Sequence, residues 1–245
     1  MKKQFQVIVA FFFLLFIAGC STESPIPETT PTPIITAPQT QAKTYNYLAL
    51  GDSYTIGQSV CETCRFPTQL SKNLGNLNPN NTYSLKIIAQ TGWTTTNLIS
   101  AINTQNPTSN YDLVTLLIGV NNQYQNRSFP LYEKEFPELV NKAIKLAKGD
   151  KTNIIVVSIP DYAYTPFGQA SGNQTTISTE IDQYNTFAKK YCDDNAIMFI
   201  NITDITRQGL INKNLVAQDG LHPSELAYSL FVERILPKAA TALSN

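Results

Sequence analysis

The chain has 245 residues, 18 basic and 18 acidic side chains, and a formal net charge of zero. No basic run or patch is present to hold a phosphate backbone, so a nucleic-acid partner is excluded. A single histidine and four cysteines in the whole chain leave too few ligands for a catalytic metal centre, and no cofactor is expected.

The first segment reads as an export signal rather than as part of a fold. Lys2 and Lys3 precede an apolar run at 7–17, too short to cross a bilayer as a helix. The run ends in Ile17-Ala18-Gly19-Cys20. Small residues before a cysteine resemble the lipobox of bacterial lipoproteins, which implies cleavage after residue 19 and a lipid on Cys20. Residues 20–43 are rich in Pro, Thr and Ser, and Pro25, Pro27, Pro31, Pro33 and Pro38 keep such a segment extended. Residues 1–19 are therefore expected to be a signal peptide, 20–43 a lipid-anchored tether and 44–245 one folded domain. The expected location is outside the cytoplasm, anchored to a bacterial membrane through Cys20. In a Gram-negative cell that would be the outer membrane, because Ser21 stands where an Asp would favour inner-membrane retention.

From residue 44 strands and helices alternate. A strand at 45–50 ends at Gly51, and a short helix is expected at 67–74. A second strand at 84–89 ends near Gly92. Leu98, Ile99 and Ile102 give helical spacing to 95–105. A nearly continuous apolar strand at 111–118 ends at Gly119, and a helix follows at 131–147. A fourth strand, 153–159, is stopped by Pro160. A helix at 179–191, a fifth strand at 196–202 and a closing helix at 224–243, entered through Pro223 and Ser224, complete the chain. Runs such as Ile154-Ile155-Val156-Val157 are apolar on both faces and belong in a parallel sheet covered on each side. The expected fold is thus α/β: a three-layer, doubly wound, flavodoxin-like sheet of about five parallel strands.

Cys61 and Cys64 form one Cys-x-x-Cys, too few ligands for zinc with no histidine nearby. Outside the cytoplasm a local disulfide is the better reading, with a redox motif as the alternative. Cys192 shares a helical face with Tyr184, Ala188 and Tyr191 and reads as a buried core thiol.

The strand ends carry four short motifs. The first strand ends in Gly51-Asp52-Ser53-Tyr54, the second in Gln90-Thr91-Gly92-Trp93 and the third in Ile118-Gly119-Val120-Asn121-Asn122. Asp219-Gly220-Leu221-His222-Pro223 follows the fifth. In this order and at these strand ends they resemble the GDSL or SGNH hydrolase family, from about residue 47 to 243. A serine hydroxyl needs a neighbouring base to act as a nucleophile. Here His222 is the one imidazole in the chain, so Ser53 and His222 are the expected pair. Asp219, three residues before the histidine on a turn entering a helix, can reach the ring and fix its tautomer. The resemblance further implies an oxyanion hole made of the Ser53 and Gly92 N–H groups and the Asn121 amide. Two positions depart from the family pattern: Tyr54 stands in place of Leu, and Asn122 in place of Asp.

Asp52 adjoins Ser53 but is read as a structural residue that bonds local backbone. Arg65-Phe66-Pro67 and the loop 161–174, with Tyr162, Tyr164 and Phe167, are expected to border the cleft. No Gly-x-Ser-x-Gly elbow is present.

The implied activity is hydrolysis of carboxylic esters, acyl or acetyl, of lipids or carbohydrates through an acyl-enzyme on Ser53. The substrate would be a small-molecule or polysaccharide ester. The same residues would also serve a polysaccharide O-acetyltransferase or deacetylase. A silent carbohydrate- or lipid-binding lipoprotein is the alternative from another class, although a binding module has no need of all five site residues.

Overall fold

A computed structural model of the chain describes residues 41–244. The proposed signal peptide, Cys20 and the tether as far as residue 40 lie outside the described residues. The apolar runs become strands: β1 (Thr44–Gly51), β2 (Thr82–Ala89), β3 (Leu113–Leu117), β4 (Ile154–Val157) and β5 (Met198–Ile200). All pair in parallel, in the order β2-β1-β3-β4-β5. Every residue of β3 and β4 is buried, whereas the edge strand β2 alternates between exposed and half-buried positions as far as Ile87 and buries only Ile88. Only strands covered on both faces need to be apolar on both. Each fully buried Leu or Ile of β1, β3 and β4 contributes about 1.5–3 kcal/mol of transfer free energy.

The helices among the described residues are α1 (Ser53–Ile56), α2 (Phe66–Leu77), α3 (Thr95–Gln105), α4 (Val120–Tyr124), α5 (Phe129–Leu146), α6 (Pro166–Ala170), α7 (Gln174–Asp194), α8 (Thr203–Thr206) and α9 (Glu225–Ala242). Parallel strands are joined by right-handed crossovers. The chain steps from β1 to β2 in one direction through α2, then back over β1 to β3 through α3. Reversing direction while keeping the hand moves the connecting helix to the other face. So α2 packs beside α9, while α3, α5 and α7 form the opposite layer. The α5–α7 seam is aromatic, with Tyr132 and Tyr184 centroids 4.5 Å apart and Phe136 and Phe187 beside them. Cys192 is fully buried at the end of this layer, and burial pushes its thiol up to about 12.

The reversal lies between β1 and β3, and such switch points open a crevice at the carboxyl ends of the two strands. Both lips of the crevice are single helical turns, α1 after β1 and α4 after β3. At four and five residues these turns are too short to show a helical period, as are α6 and α8, and the sequence pattern contains none of the four.

A polar junction braces the β3 side. Asn122 Oδ1 accepts from the Thr95 N–H (2.9 Å) and Asn122 Nδ2 donates to Thr95 Oγ1 (2.6 Å). Thr95 Oγ1 in turn donates to Glu135 of α5, which also accepts from Thr96 Oγ1 at 2.8 Å. This accounts for asparagine at 122. An aspartate would turn the Nδ2 donor into an acceptor facing a hydroxyl whose proton is committed to Glu135. Asn122→Asp should therefore cost about 1–3 kcal/mol. The expected result is a Tm several degrees lower, partly restored by Glu135→Gln; an unchanged Tm would contradict this account of the junction.

Candidate active site

The site begins where β1 ends. Asp52 caps α1, its Oδ1 accepting the Tyr54 N–H at 3.0 Å. A Cβ at residue 51 would lie 2.1 Å from Thr55 Oγ1 and 2.4 Å from the Leu117 carbonyl oxygen. Only glycine lets β1 approach β3 so closely there, and this fixes the start of the turn. Ser53 is the first residue of that turn and is 3% exposed.

Gly92 and Asn121 arrive from the next two strand ends. Gly92 has φ 81°, a conformation that side chains resist. Its carbonyl oxygen accepts from Gln125 Nε2 at 2.8 Å. Asn121 lies in α4, and its Nδ2 donates to Asp52 Oδ2 at 3.4 Å. Asp52 thus serves two elements, capping α1 with one oxygen and steering the Asn121 amide with the other. Burial pushes its carboxyl up to about 7, against the pull of the Tyr54 and Asn121 hydrogen bonds.

Asp219 and His222 lie between β5 and α9. Asp219 Oδ1 accepts the N–H groups of Leu221 and His222, each at 3.0 Å. Its Oδ2 faces His222 Nδ1 at 2.6 Å and accepts from Ser59 Oγ at 2.6 Å. Burial raises the Asp219 carboxyl, but the hydrogen bonds from Ser59, His222 and Leu221 outweigh it and hold it at about 2. A carboxylate facing Nδ1 keeps the imidazole proton there and leaves Nε2 free to accept one. The His222 ring is 7% exposed and lies 5.0 Å from the Tyr54 ring.

Ser53, Gly92, Asn121 and His222 line one cavity of about 230 Å³, with apolar walls from Tyr54, Val120 and Leu221. Tyr124, Tyr162 and Phe167 form its outer rim. Of the segments expected to border the cleft, the loop 161–174 supplies Tyr162 and Phe167 but not Tyr164. The other, Arg65-Phe66-Pro67, does not line the cavity. Phe66 is fully buried against Tyr228, Pro67 occupies the first turn of α2, and Arg65 Nε bonds Thr68. Proline suits that turn because its missing N–H would have no partner there in any case. Cys61 and Cys64 are joined by an S–S bond of 2.06 Å. Among the described residues no group of three or more His, Cys, Asp or Glu side chains is placed to hold a metal ion, and no helix is long and apolar enough to cross a membrane.

Two residues at the site carry no motif. Gln125 holds the Gly92 backbone, and Ser59 holds Asp219 from 160 positions away. Ser59 has φ 67°, strained for a side chain. The strain makes a clean test, because glycine is at ease there and removes only the hydroxyl. Ser59→Gly should lower kcat about five- to tenfold with little change in KM, while Tm at neutral pH stays level or rises. The acid range supplies a second readout. A carboxyl at about 2, against an ordinary 3.8, contributes stability above about pH 4 that is lost as pH falls toward 2. With one lowering hydrogen bond removed, that loss should shrink. An unchanged kcat would show that Ser59 does not position Asp219.

The fold and the motifs have known counterparts. The profile of the GDSL-like Lipase/Acylhydrolase family matches residues 49–230. A member of the lipolytic protein G-D-S-L family from Veillonella parvula is similar, with TM-score 0.59 and 19% identity over 79% of this chain and 97% of its own. An acetylxylan esterase from Geobacillus stearothermophilus has TM-score 0.60 and 19% identity over 80% and 94%. A lipase/acylhydrolase from Enterococcus faecalis has TM-score 0.61 and 15% identity over 80% and 96%. No curated protein matches the chain in sequence. At these identities the solved structures speak for the fold, and the profile, which runs from the end of β1 into the first turns of α9, speaks for descent: the chain belongs to the GDSL-like lipase/acylhydrolase family.

Proposed function

We propose that the chain is an exported, lipid-anchored serine esterase that cleaves short-chain carboxylic esters through an acyl-enzyme on Ser53. The observation that supports this best is the convergence of Ser53, Gly92, Asn121 and His222 on one small cavity, with Asp219 behind the imidazole. His222 Nε2 takes the Ser53 proton as Oγ bonds to the acyl carbon. The oxyanion is received by the N–H groups of Ser53 and Gly92 and by Asn121 Nδ2. The ester C–O bond then breaks, and the proton passes from His222 to the departing alcohol. Water repeats the cycle, with His222 as base, and releases the acid. Asp219, held at about 2, stays ionised throughout and stabilises the imidazolium. A cavity of about 230 Å³ is below the usual range for drug-sized ligands and favours acetyl and similarly short acyl groups.

The export signal and the Cys20 lipid are supported by the sequence of 1–43. One experiment on the full-length chain tests both parts. p-Nitrophenyl acetate should be hydrolysed faster than the octanoate, and a phosphonate should label Ser53 once and stop turnover. The labelled protein should fractionate with membranes, and Cys20→Ala should move it to the soluble fraction with its activity intact. Phosphonate labelling elsewhere, with turnover unaffected, would remove the serine mechanism. A Cys20→Ala protein that stays with membranes would remove the anchor.

A further inference from the structure

Behind the rim of the reaction cavity lies a second one of about 570 Å³. The two share the rings of Tyr124, Tyr162 and Phe167 and are otherwise different in kind. The first is walled by apolar groups. The second is lined by Gln123, Asn126, Asn173 and Glu180, with Ile177 among them.

Two of these polar groups, Gln123 and Glu180, are held in place. Tyr162 Oη donates to Gln123 Oε1 at 2.8 Å, and Gln123 Nε2 donates to Glu180 Oε2 at 2.7 Å. This chain uses the phenol proton and one oxygen of Glu180. The other oxygen, Oε1, accepts no hydrogen bond among the described residues, so Glu180 presents a fixed acceptor. Asn126 and Asn173 each add an amide that can both donate and accept. No lysine or arginine lines the cavity. At the boundary Tyr124 is 52% and Phe167 40% exposed, with centroids 6.0 Å apart. Two large rings left open at the mouth of a concave site mark a surface kept for a ligand.

These features select the occupant. An alkyl chain would strip water from Glu180 and two amides and return no hydrogen bonds. A phosphate or carboxylate would face Glu180, and the cation nearest in sequence to this lining, Arg127, belongs to the adjoining pocket on the other side of Asn126 and Glu180. A neutral sugar ring meets each demand, since its hydroxyls donate to Glu180 and exchange bonds with the amides while its C–H face lies on an aromatic ring. We propose that this second cavity is the leaving-group subsite and that the substrate is a short-chain O-acyl ester, of the acetyl class, of a neutral carbohydrate. This rests on the reading of Ser53 as nucleophile. The acyl group sits among Tyr54, Val120 and Leu221, the bond between acyl carbon and sugar oxygen breaks, and that oxygen leaves as a hydroxyl with the proton from His222.

The test compares alcohols at constant acyl group. Monoacetylated methyl glucoside should be cleaved with kcat/KM about 10²-fold above ethyl acetate, two or three net hydrogen bonds at about 1 kcal/mol each. In Glu180→Gln, which can still accept from Gln123, the ratio of the two kcat/KM values should fall about tenfold, chiefly through KM. Asn126→Ala should lower it in the same direction, with Tm reporting that each variant is folded. A wild-type ratio near one, a ratio that neither variant changes, or faster release of fatty acid from dispersed phosphatidylcholine than of acetate from the glucoside would overturn the proposal. Turnover of p-nitrophenyl acetate separates the two levels: with it intact, failure on the glucoside removes only the sugar subsite, and without it the serine mechanism falls first.

Discussion

Ser53→Ala and His222→Ala should each lower kcat/KM on p-nitrophenyl acetate by about 10⁴–10⁶-fold, and the double variant should be scarcely worse than either alone. The two side chains act as a unit, and groups that work only together lose their whole effect with the first deletion. His222 is the sole imidazole in the chain, so no second base can replace it. The residual rate should come from the oxyanion donors and the cavity, which both variants keep. Asp219→Ala should be milder than His222→Ala, because the ring can still accept a proton when badly oriented. Near-normal rates in His222→Ala would end the serine-esterase reading. Multiplicative losses in the double variant would show that the two residues act in separate steps.

Asn121→Ala should lower kcat by about 10²–10³-fold with a much smaller change in KM, the usual cost of deleting one oxyanion donor. The substituted residue is buried at the lip of the crevice, beside Asp52. Losing the amide also removes one of the hydrogen bonds that hold the Asp52 carboxyl down to about 7 against the effect of burial, so Asp52 should become easier to protonate. Asp52→Asn reaches the same donor from behind. It keeps an acceptor for the Tyr54 N–H but turns an –NH₂ toward that of Asn121. Its turnover should therefore fall along with its stability, because Asp52 holds Asn121 in addition to the local backbone that the sequence assigns to it. Full activity in Asn121→Ala would remove this amide from the oxyanion hole.

What could be read from the chain beforehand follows from how far each signal extends along it. The strands are legible as short apolar runs that end at glycine or proline, and the longer helices as a period sustained over ten or more residues; α3 spans 95–105 as its apolar spacing predicts. Ends were less legible: the fifth strand, expected over 196–202, is hydrogen-bonded only over Met198–Ile200 at the edge of the sheet. Ser53, Gly92, Asn121, Asp219 and His222 stood out because each sits in a short motif at a strand end. Ser59 and Gln125 did not, since each is defined by a partner remote in sequence and leaves no local pattern. Arg65-Phe66-Pro67 opens α2 close to the start expected at 67, but it does not border the cleft as expected, because Phe66 is turned into the core.

The position of the crevice also bears on when the molecule can first act. Ser53 follows the first strand, and Asp219 and His222 follow the last. A chain made from its N-terminus presents the serine early, before His222 and Asp219 have been made. Closing the site means joining residues that β2, β3, β4 and β5 separate, and contacts so distant in sequence form late. Every fragment that stops short of residue 222 lacks the base altogether. Ester cleavage by this chain is therefore a property of the finished sheet, and its appearance dates the completion of folding.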